Sequence, residues 1–128
     1  MKIIEVVCGI IWNDGRVFIA RRMPEKSMGG YWEFPGGKIE GNEDPETALK
    51  RELDEELGMK VNIKSYLSSH IHHYDSFTIK LKAYECEFVS SNFNLTDHDE
   101  CCFVLPENLN KFNFASADLF FIDLINKI

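Results

Sequence analysis

Between Asp44 and Gly58 the chain can be little other than one amphipathic helix, and that helix dictates what must pack around it. Asp44 can cap a free backbone N–H, and Pro45 suits the first helical position, where its missing N–H costs nothing. Thr47 to Leu57 contains no glycine or proline, and Gly58 is a natural left-handed stop. At about 100° per residue, Leu49, Leu53 and Leu57 share one stripe. Glu52, Glu55 and Glu56 occupy the adjacent stripe with small Ala48 among them, while Lys50, Arg51 and Asp54 take the remaining side. One edge of the helix is therefore expected in a core, with three carboxylates presented together beside it.

Clustered carboxylates repel one another by a few tenths of a kcal/mol per exposed pair, and by more when partly buried. Stability alone would not gather them. A hard divalent cation would, because Mg²⁺ or Mn²⁺ takes oxygen ligands and commonly combines carboxylates with substrate phosphates. A solvated acidic helix face is the plain alternative when such a triplet stands alone. Here Trp32-Glu33-Phe34-Pro35-Gly36-Gly37-Lys38 precedes it, an aromatic strand end running into a Pro-Gly-Gly turn. Glycines let a backbone approach a ligand closely, and Lys38 adds a point charge able to reach a phosphate oxygen.

The order Gly37, five residues, Glu43, seven residues, Arg51-Glu52-Leu53-Asp54-Glu55-Glu56-Leu57-Gly58-Met59 resembles the Nudix box at every specified position. The resemblance extends to Gly9-Ile10-Ile11, Phe18-Ile19-Ala20-Arg21-Arg22 and the Trp32–Lys38 run, which look like the MutT branch. Ile4-Glu5-Val6-Val7, Ser69-His70 and Ala117-Asp118 are similar to the bacterial CTP and modified-cytosine pyrophosphohydrolases. It implies a metal-dependent nucleoside triphosphate pyrophosphohydrolase that releases monophosphate and pyrophosphate. Oxidised nucleotides such as 8-oxo-dGTP are the first expected substrates, and CTP or modified dCTP the alternative. A Nudix domain retained only for binding is a third reading, which the intact carboxylate set opposes.

By the same resemblance, Glu52, Glu55 and Glu56 are the metal-binding and catalytic carboxylates, with Glu52 the base for the attacking water. Mg²⁺ is the expected cation, and Mn²⁺ can substitute. Gly36 would offer its carbonyl to the metal, and Arg51 would orient neighbouring carboxylates such as Glu43. One further carboxylate is expected from the loop before the last strand, where Asp97 sits and Asp99 and Glu100 compete. Arg22, Phe34, Lys38, Tyr74 and Asp118 are expected to bind substrate. A carboxylate at 118 would suit cytosine's amino group or the N1/N2 edge of guanine. Asp118 could equally just complement a helix dipole. His70, His72, His73 and His98 have no ligand spacing with the glutamates.

The 128 residues, expected to form one Nudix hydrolase domain over 1–128, suffice for a single substantial core. Their net charge of −7, from 14 basic and 21 acidic side chains, opposes a nucleic-acid polymer as partner. It does not oppose a nucleotide, because bound divalent cations reverse the local field. No apolar run approaches the ~18 residues that span a bilayer. Glu5 interrupts any signal-peptide core, so a cytoplasmic protein without a membrane partner is expected. Cys8, Cys86, Cys101 and Cys102 lack metal-ligand spacing and read as small buried hydrophobes. Oligomeric state leaves no signature.

Elsewhere the pattern is that of a sheet. Ile3 to Trp12 and Arg16 to Arg22 flank the hairpin signal Asn13-Asp14-Gly15, and Met23 to Tyr31 reads as a polar loop. Val61 to His72 and Phe77 to Phe88 are strand-like, followed by a polar loop from Val89 to Asp99 and a short strand from Glu100 to Leu105. A helix starting at Ser116 is expected to bury a wide face of Leu119, Phe120, Phe121, Ile122, Leu124 and Ile125. The fold class is α/β, a Nudix-type α/β/α sandwich with a central mixed sheet.

Overall fold

A computed structural model describes residues 2–127. Strand β1 (Lys2–Asn13) turns into β2 (Arg16–Arg22), and two short strands follow, β3 (Trp32–Glu33) and β4 (Gly36–Lys38). Helix α1 (Pro45–Leu57) leads to the long strands β5 (Met59–His73) and β6 (Phe77–Ser91), then β7 (His98–Val104). Two 3₁₀ turns, Pro106–Lys111 and Ser116–Asp118, precede α2 (Leu119–Ile125).

The sheet is mixed. Its spine runs β3-β2-β1-β6-β5, with β4 added to β1 and β7 to β2. Only the β1–β6 pair among these ladders is parallel. Central β1 is covered on both faces, which explains its nearly unbroken apolar run. Val7 and Ile11 enter one core with Phe18, Leu49, Leu53 and Leu57. Cys8 and Ile10 enter the other with Ile19, Leu109, Phe121 and Ile125. Helix α1 thus covers one face, and α2 with the 3₁₀ turns covers the other, giving the expected three layers.

The signals around α1 act as their chemistry suggests. Asp44 accepts from the Thr47 N–H at 2.9 Å, and Gly58 closes the helix at φ 59°. Leu49, Leu53 and Leu57 are wholly buried, each contributing about 2 kcal/mol of apolar burial. The first hairpin turns through Asp14 and Gly15, both at positive φ (53° and 75°), as a tight turn matched to strand twist requires.

Four expectations need correction. Strand β6 continues to Ser91 and β7 begins at His98, so the intervening loop is shorter than its polar composition suggests. Sheet pairing with β5 and β2 holds those polar residues extended. Ser116–Asp118 is a 3₁₀ turn, and the α-helix proper starts at Leu119. Its buried face is Phe121, Ile122 and Ile125, whereas Leu119 and Phe120 are 51% and 42% exposed. A helix this short lays one stripe on the sheet, leaving its opposite side in solvent. The 3₁₀ turn at Pro106–Lys111, which inserts Leu109 into the core, carries no periodic pattern long enough to announce it.

Candidate active site

The antiparallel β1–β4 pair sets Gly36 against Cys8 and Gly37 against Val7. A β-carbon on Gly36 would run into the Val7 carbonyl, and one on Gly37 would collide with the Glu52 carboxylate. The two glycines therefore do different work. The first lets β4 lie on β1, and the second leaves room for a side chain of α1.

Arg51 organises the glutamates. Its Nε and Nη2 donate to the two Glu43 oxygens at 2.7 and 3.0 Å, and its Nη1 donates to Glu52 at 2.7 Å. The same Nη1 reaches Glu55 at 3.2 Å, and Nη2 reaches the Lys38 carbonyl at 3.1 Å. The guanidinium thus ties α1 to the glycine turn, as a planar fork can and an ammonium cannot. Its hydrogen bond, with that of the Glu40 N–H, holds the Glu43 carboxyl down at about 2.

Glu56 faces inward and is only 5% exposed. Burial first, then a hydrogen bond to Glu52 and the charges of Glu33, Glu52 and Asp97, push its carboxyl up to about 10. Its Oε1 is buried without a hydrogen-bond partner. An acid so placed, beside further carboxylates, is electrostatically unsatisfied until positive charge arrives. That suits a hard divalent cation, and the oxygen-only donor set suits it too. Among the described residues, no three potential ligands already stand in chelating array. Arg51 holds Glu52 and Glu55 to one side, and Glu56 is bonded to Glu52.

Of the three acidic candidates near β7, Asp99 and Glu100 both pair with Arg21, at 2.8 and 3.3 Å. Asp97 instead acts on Glu56, while Lys26 lies 3.4 Å from its carboxylate. The Asp97 carbonyl also accepts from the Met23 N–H at 3.0 Å, joining this loop to the one after β2.

A cleft of about 200 Å³ runs from Gly36, Gly37 and Lys38 to Asp118, with Arg22, Glu33 and Phe34 on its walls. A larger depression of about 440 Å³ near Trp12 and Phe88 gathers none of these groups. Asp118 is 7% exposed and accepts from the Phe34 N–H at 2.8 Å. Burial, then the charge of Glu33, raises its carboxyl well above the usual range. It makes no capping bond to its own helix. Tyr74 is not among the residues lining the cleft. It stands behind Asp118, its oxygen accepting from the Ala117 N–H. The His70 imidazole stacks on Phe120 and lies tilted against His72, which meets Tyr74 edge-to-face.

Two residues escaped sequence reasoning. Glu33 lines the cleft, and His98, fully buried, approaches its Oε2 with Nε2 at 2.8 Å. Arg22 Nη1 lies 3.5 Å from the same oxygen. The β2–β7 register, which sets His98 opposite Arg22, and the β2–β3 register, which sets Glu33 opposite Ala20, bring them together. No local spacing encodes that.

Among the described residues, seven strands between two helical layers, with a box of glutamates against a glycine turn, define a Nudix-type hydrolase. A NUDIX domain profile matches residues 6–124, and the chain belongs to that family. Nudix hydrolases generally use divalent metal ions. The CTP pyrophosphohydrolase of Escherichia coli (strain K12) is 35% identical over 119 residues, covering 93% of this chain and 88% of that protein. The 8-oxo-dGTP diphosphatase of Proteus vulgaris is 44% identical over 81 residues, 62% of this chain and 72% of that one. In structure, the MutT protein from Methanosarcina mazei Go1 superposes with a TM-score of 0.89 at 21% identity, covering 98% and 94% of the two chains. That last likeness speaks to the fold alone.

Proposed function

We propose that this Nudix hydrolase is a Mg²⁺-dependent nucleoside triphosphate pyrophosphohydrolase that releases a nucleoside monophosphate and pyrophosphate. The observation that carries the proposal is that Glu52 stands against Gly37 with Glu56 bonded to it, while Gly36, Gly37, Lys38 and Asp118 line one cleft. Glu52, Glu55 and Glu56, with the Gly36 carbonyl and Asp97, would hold the cation, for which Mn²⁺ is an acceptable substitute. When bound, the cation supplies an acidified water and neutralises charge on the phosphoryl oxygens. Glu52 takes the proton from the attacking water, and Arg51 keeps its carboxylate aimed. Lys38 steadies the outer phosphates. The water oxygen joins the β-phosphorus as the bond to the α-phosphate oxygen breaks, so it leaves in pyrophosphate.

Asp118, Phe34, Arg22 and the supporting Tyr74 would form the nucleoside end. One Asp118 oxygen already accepts from Phe34. If the burial-raised carboxyl keeps its proton, the other oxygen can donate as well as accept. It then matches adjacent acceptor and donor atoms, as guanine offers at O6 and N1 and cytosine at N3 and N4. The first substrate reading is an oxidised guanine nucleotide such as 8-oxo-dGTP, which would make the enzyme a cleanser of the nucleotide pool. A second, CTP or modified dCTP, is favoured by the wider span of the match to the E. coli relative named for CTP. The deciding experiment is a panel of 8-oxo-dGTP, dGTP, CTP, dCTP and 5-methyl-dCTP with Mg²⁺, scored as kcat/KM for pyrophosphate release. Failure of every nucleotide refutes the proposal, and the ranking chooses between the substrate readings.

A further inference from the structure

We propose that Glu33 reads the sugar of the bound nucleotide, its free oxygen accepting a hydrogen bond from the 3′-hydroxyl, with His98 as the residue that positions it. The inference rests on the nucleotide reading above and assigns the part of the cleft which that reading leaves without a partner.

Its first support is placement. Glu33 lines the cleft that joins Asp118 at the base end to Gly36–Lys38 at the phosphate end. Its charge acts on both termini, raising the Asp118 carboxyl and the Glu56 carboxyl alike. A nucleotide spanning the cleft would bring its sugar within the lining to which this side chain belongs.

The second support is how the carboxylate is held. Oε2 faces both His98 Nε2, at 2.8 Å, and Arg22 Nη1, at 3.5 Å. Among the described residues, no hydrogen bond or ion pair engages Oε1. His98 is 0% exposed, and its Nδ1 is buried without a partner. A wholly buried imidazole with one nitrogen unsatisfied is costly, and the core would be better filled by a hydrocarbon. Its position also depends on an irregularity, for the β2–β7 register shifts between Arg21 and Arg22 and so sets His98 opposite Arg22. Such bulges re-aim side chains at functional sites. Arg22 is itself fixed, donating from Nε to the Ser27 carbonyl at 2.9 Å.

Chemistry then selects the ligand group. A carboxylate repels a phosphate and accepts from a hydroxyl, in a bond stronger than one between neutral partners. The hydroxyl-bearing part of a nucleotide that lies between its base and its phosphates is the sugar.

The test compares dGTP and dCTP with their 2′,3′-dideoxy analogues, which lack only that hydroxyl, by kcat/KM for pyrophosphate release. Wild-type protein should prefer the 3′-hydroxyl substrates by about 10- to 100-fold, the range for a hydrogen bond to a charged group. In Glu33→Gln the amide oxygen will turn to His98 and present NH₂ to the cleft, so the preference should fall to severalfold at most, the range for a bond between neutral partners. His98→Leu should relax the preference, whereas His98→Gln, which can still donate to Glu33, should retain most of it. Melting curves verify that each variant is folded, and the wild-type comparison needs no variant at all. Equal rates for both sugars in wild type would overturn the inference while leaving the pyrophosphohydrolase reading intact. So would a Glu33→Gln protein that loses activity on both sugars equally, which would move Glu33 to the cation end. If wild type cleaves no nucleoside triphosphate, the functional reading fails and this inference goes with it.

Discussion

Replacing Gly37 by alanine places a methyl group where the Glu52 carboxylate now lies. The backbone tolerates the change, since Gly37 is not among the glycines at positive φ. The nearest atoms to the new carbon all belong to the Glu52 side chain, so that flexible chain must swing aside. Swinging loses the 2.7 Å bond to Arg51, between groups 24% and 15% exposed, which is worth about 1 kcal/mol after solvent screening. Alanine returns about 0.4–1 kcal/mol by restricting the unfolded chain. The two nearly cancel, so the melting temperature should move by no more than about 4 °C. Turnover should not be spared, because displacing the proposed base by about 1 Å costs on the order of 10²-fold. Gly36→Ala is the matched control. Its methyl meets the backbone of Val7 and Cys8, which cannot rotate away, so overpacking should cost about 3 kcal/mol or more and melting should fall accordingly. Pyrophosphate release at saturating Mg²⁺ and circular-dichroism melts read the two effects separately. Near-normal turnover in Gly37→Ala would remove Glu52 from the chemistry. A melting loss equal to that of Gly36→Ala would make the Gly37–Glu52 contact a packing feature only.

Glu55→Gln and Glu56→Gln should each remain folded and lose at least ~10²-fold in kcat; near-normal turnover in either, at saturating Mg²⁺, would refute its place at the cation. In ¹⁸O-labelled water the label should appear in pyrophosphate, whereas label in the nucleoside monophosphate would put attack at the α-phosphorus. Asp118→Asn should lower kcat/KM for the preferred base by about 10- to 100-fold, change the order of the others and spare metal dependence. The same variant has a pH signature: a buried carboxyl whose folded pKa is raised loses stability as pH climbs above its unfolded value of 3.8. The asparagine protein should therefore gain in melting temperature relative to wild type from pH 4 to pH 8, and a constant difference would contradict the buried-acid assignment. Leu53→Ala should lower stability by about 2–5 kcal/mol, measurable by urea unfolding.

Helix α1 was legible in the sequence because everything that specifies it is local. Cap, first-turn proline, leucine spacing and terminal glycine act within a few residues of one another. The neighbouring glutamate stripe follows from helical geometry alone, whereas the expectation that Arg51 serves Glu43 came from the resemblance to the Nudix box. The tight hairpin at Asp14-Gly15 is local in the same sense, and the alternating strands identified themselves by period. Resemblance to the Nudix box added a chemistry to these positions.

What lay beyond the sequence were the relations that only packing creates. Glu52, Glu55 and Glu56 look equivalent along the chain. In the fold, Glu56 is buried and partnerless at one oxygen, Glu52 is clamped by Arg51, and Glu55 is largely exposed. Asp97, Asp99 and Glu100 were separated by Arg21, which takes the latter two. The exposed side of α2 depended on how its single turn-and-a-half of contact meets the sheet. Asp118 and Phe34 are 84 positions apart in the chain, and Glu33 and His98 are 65 apart. The second pair exists because strand registers bring distant residues to one place, and the first because the segment before α2 bonds through its backbone to Trp32. Residue types and local spacing carry the helix and its glutamates, but a partner delivered by register has no local signal to read.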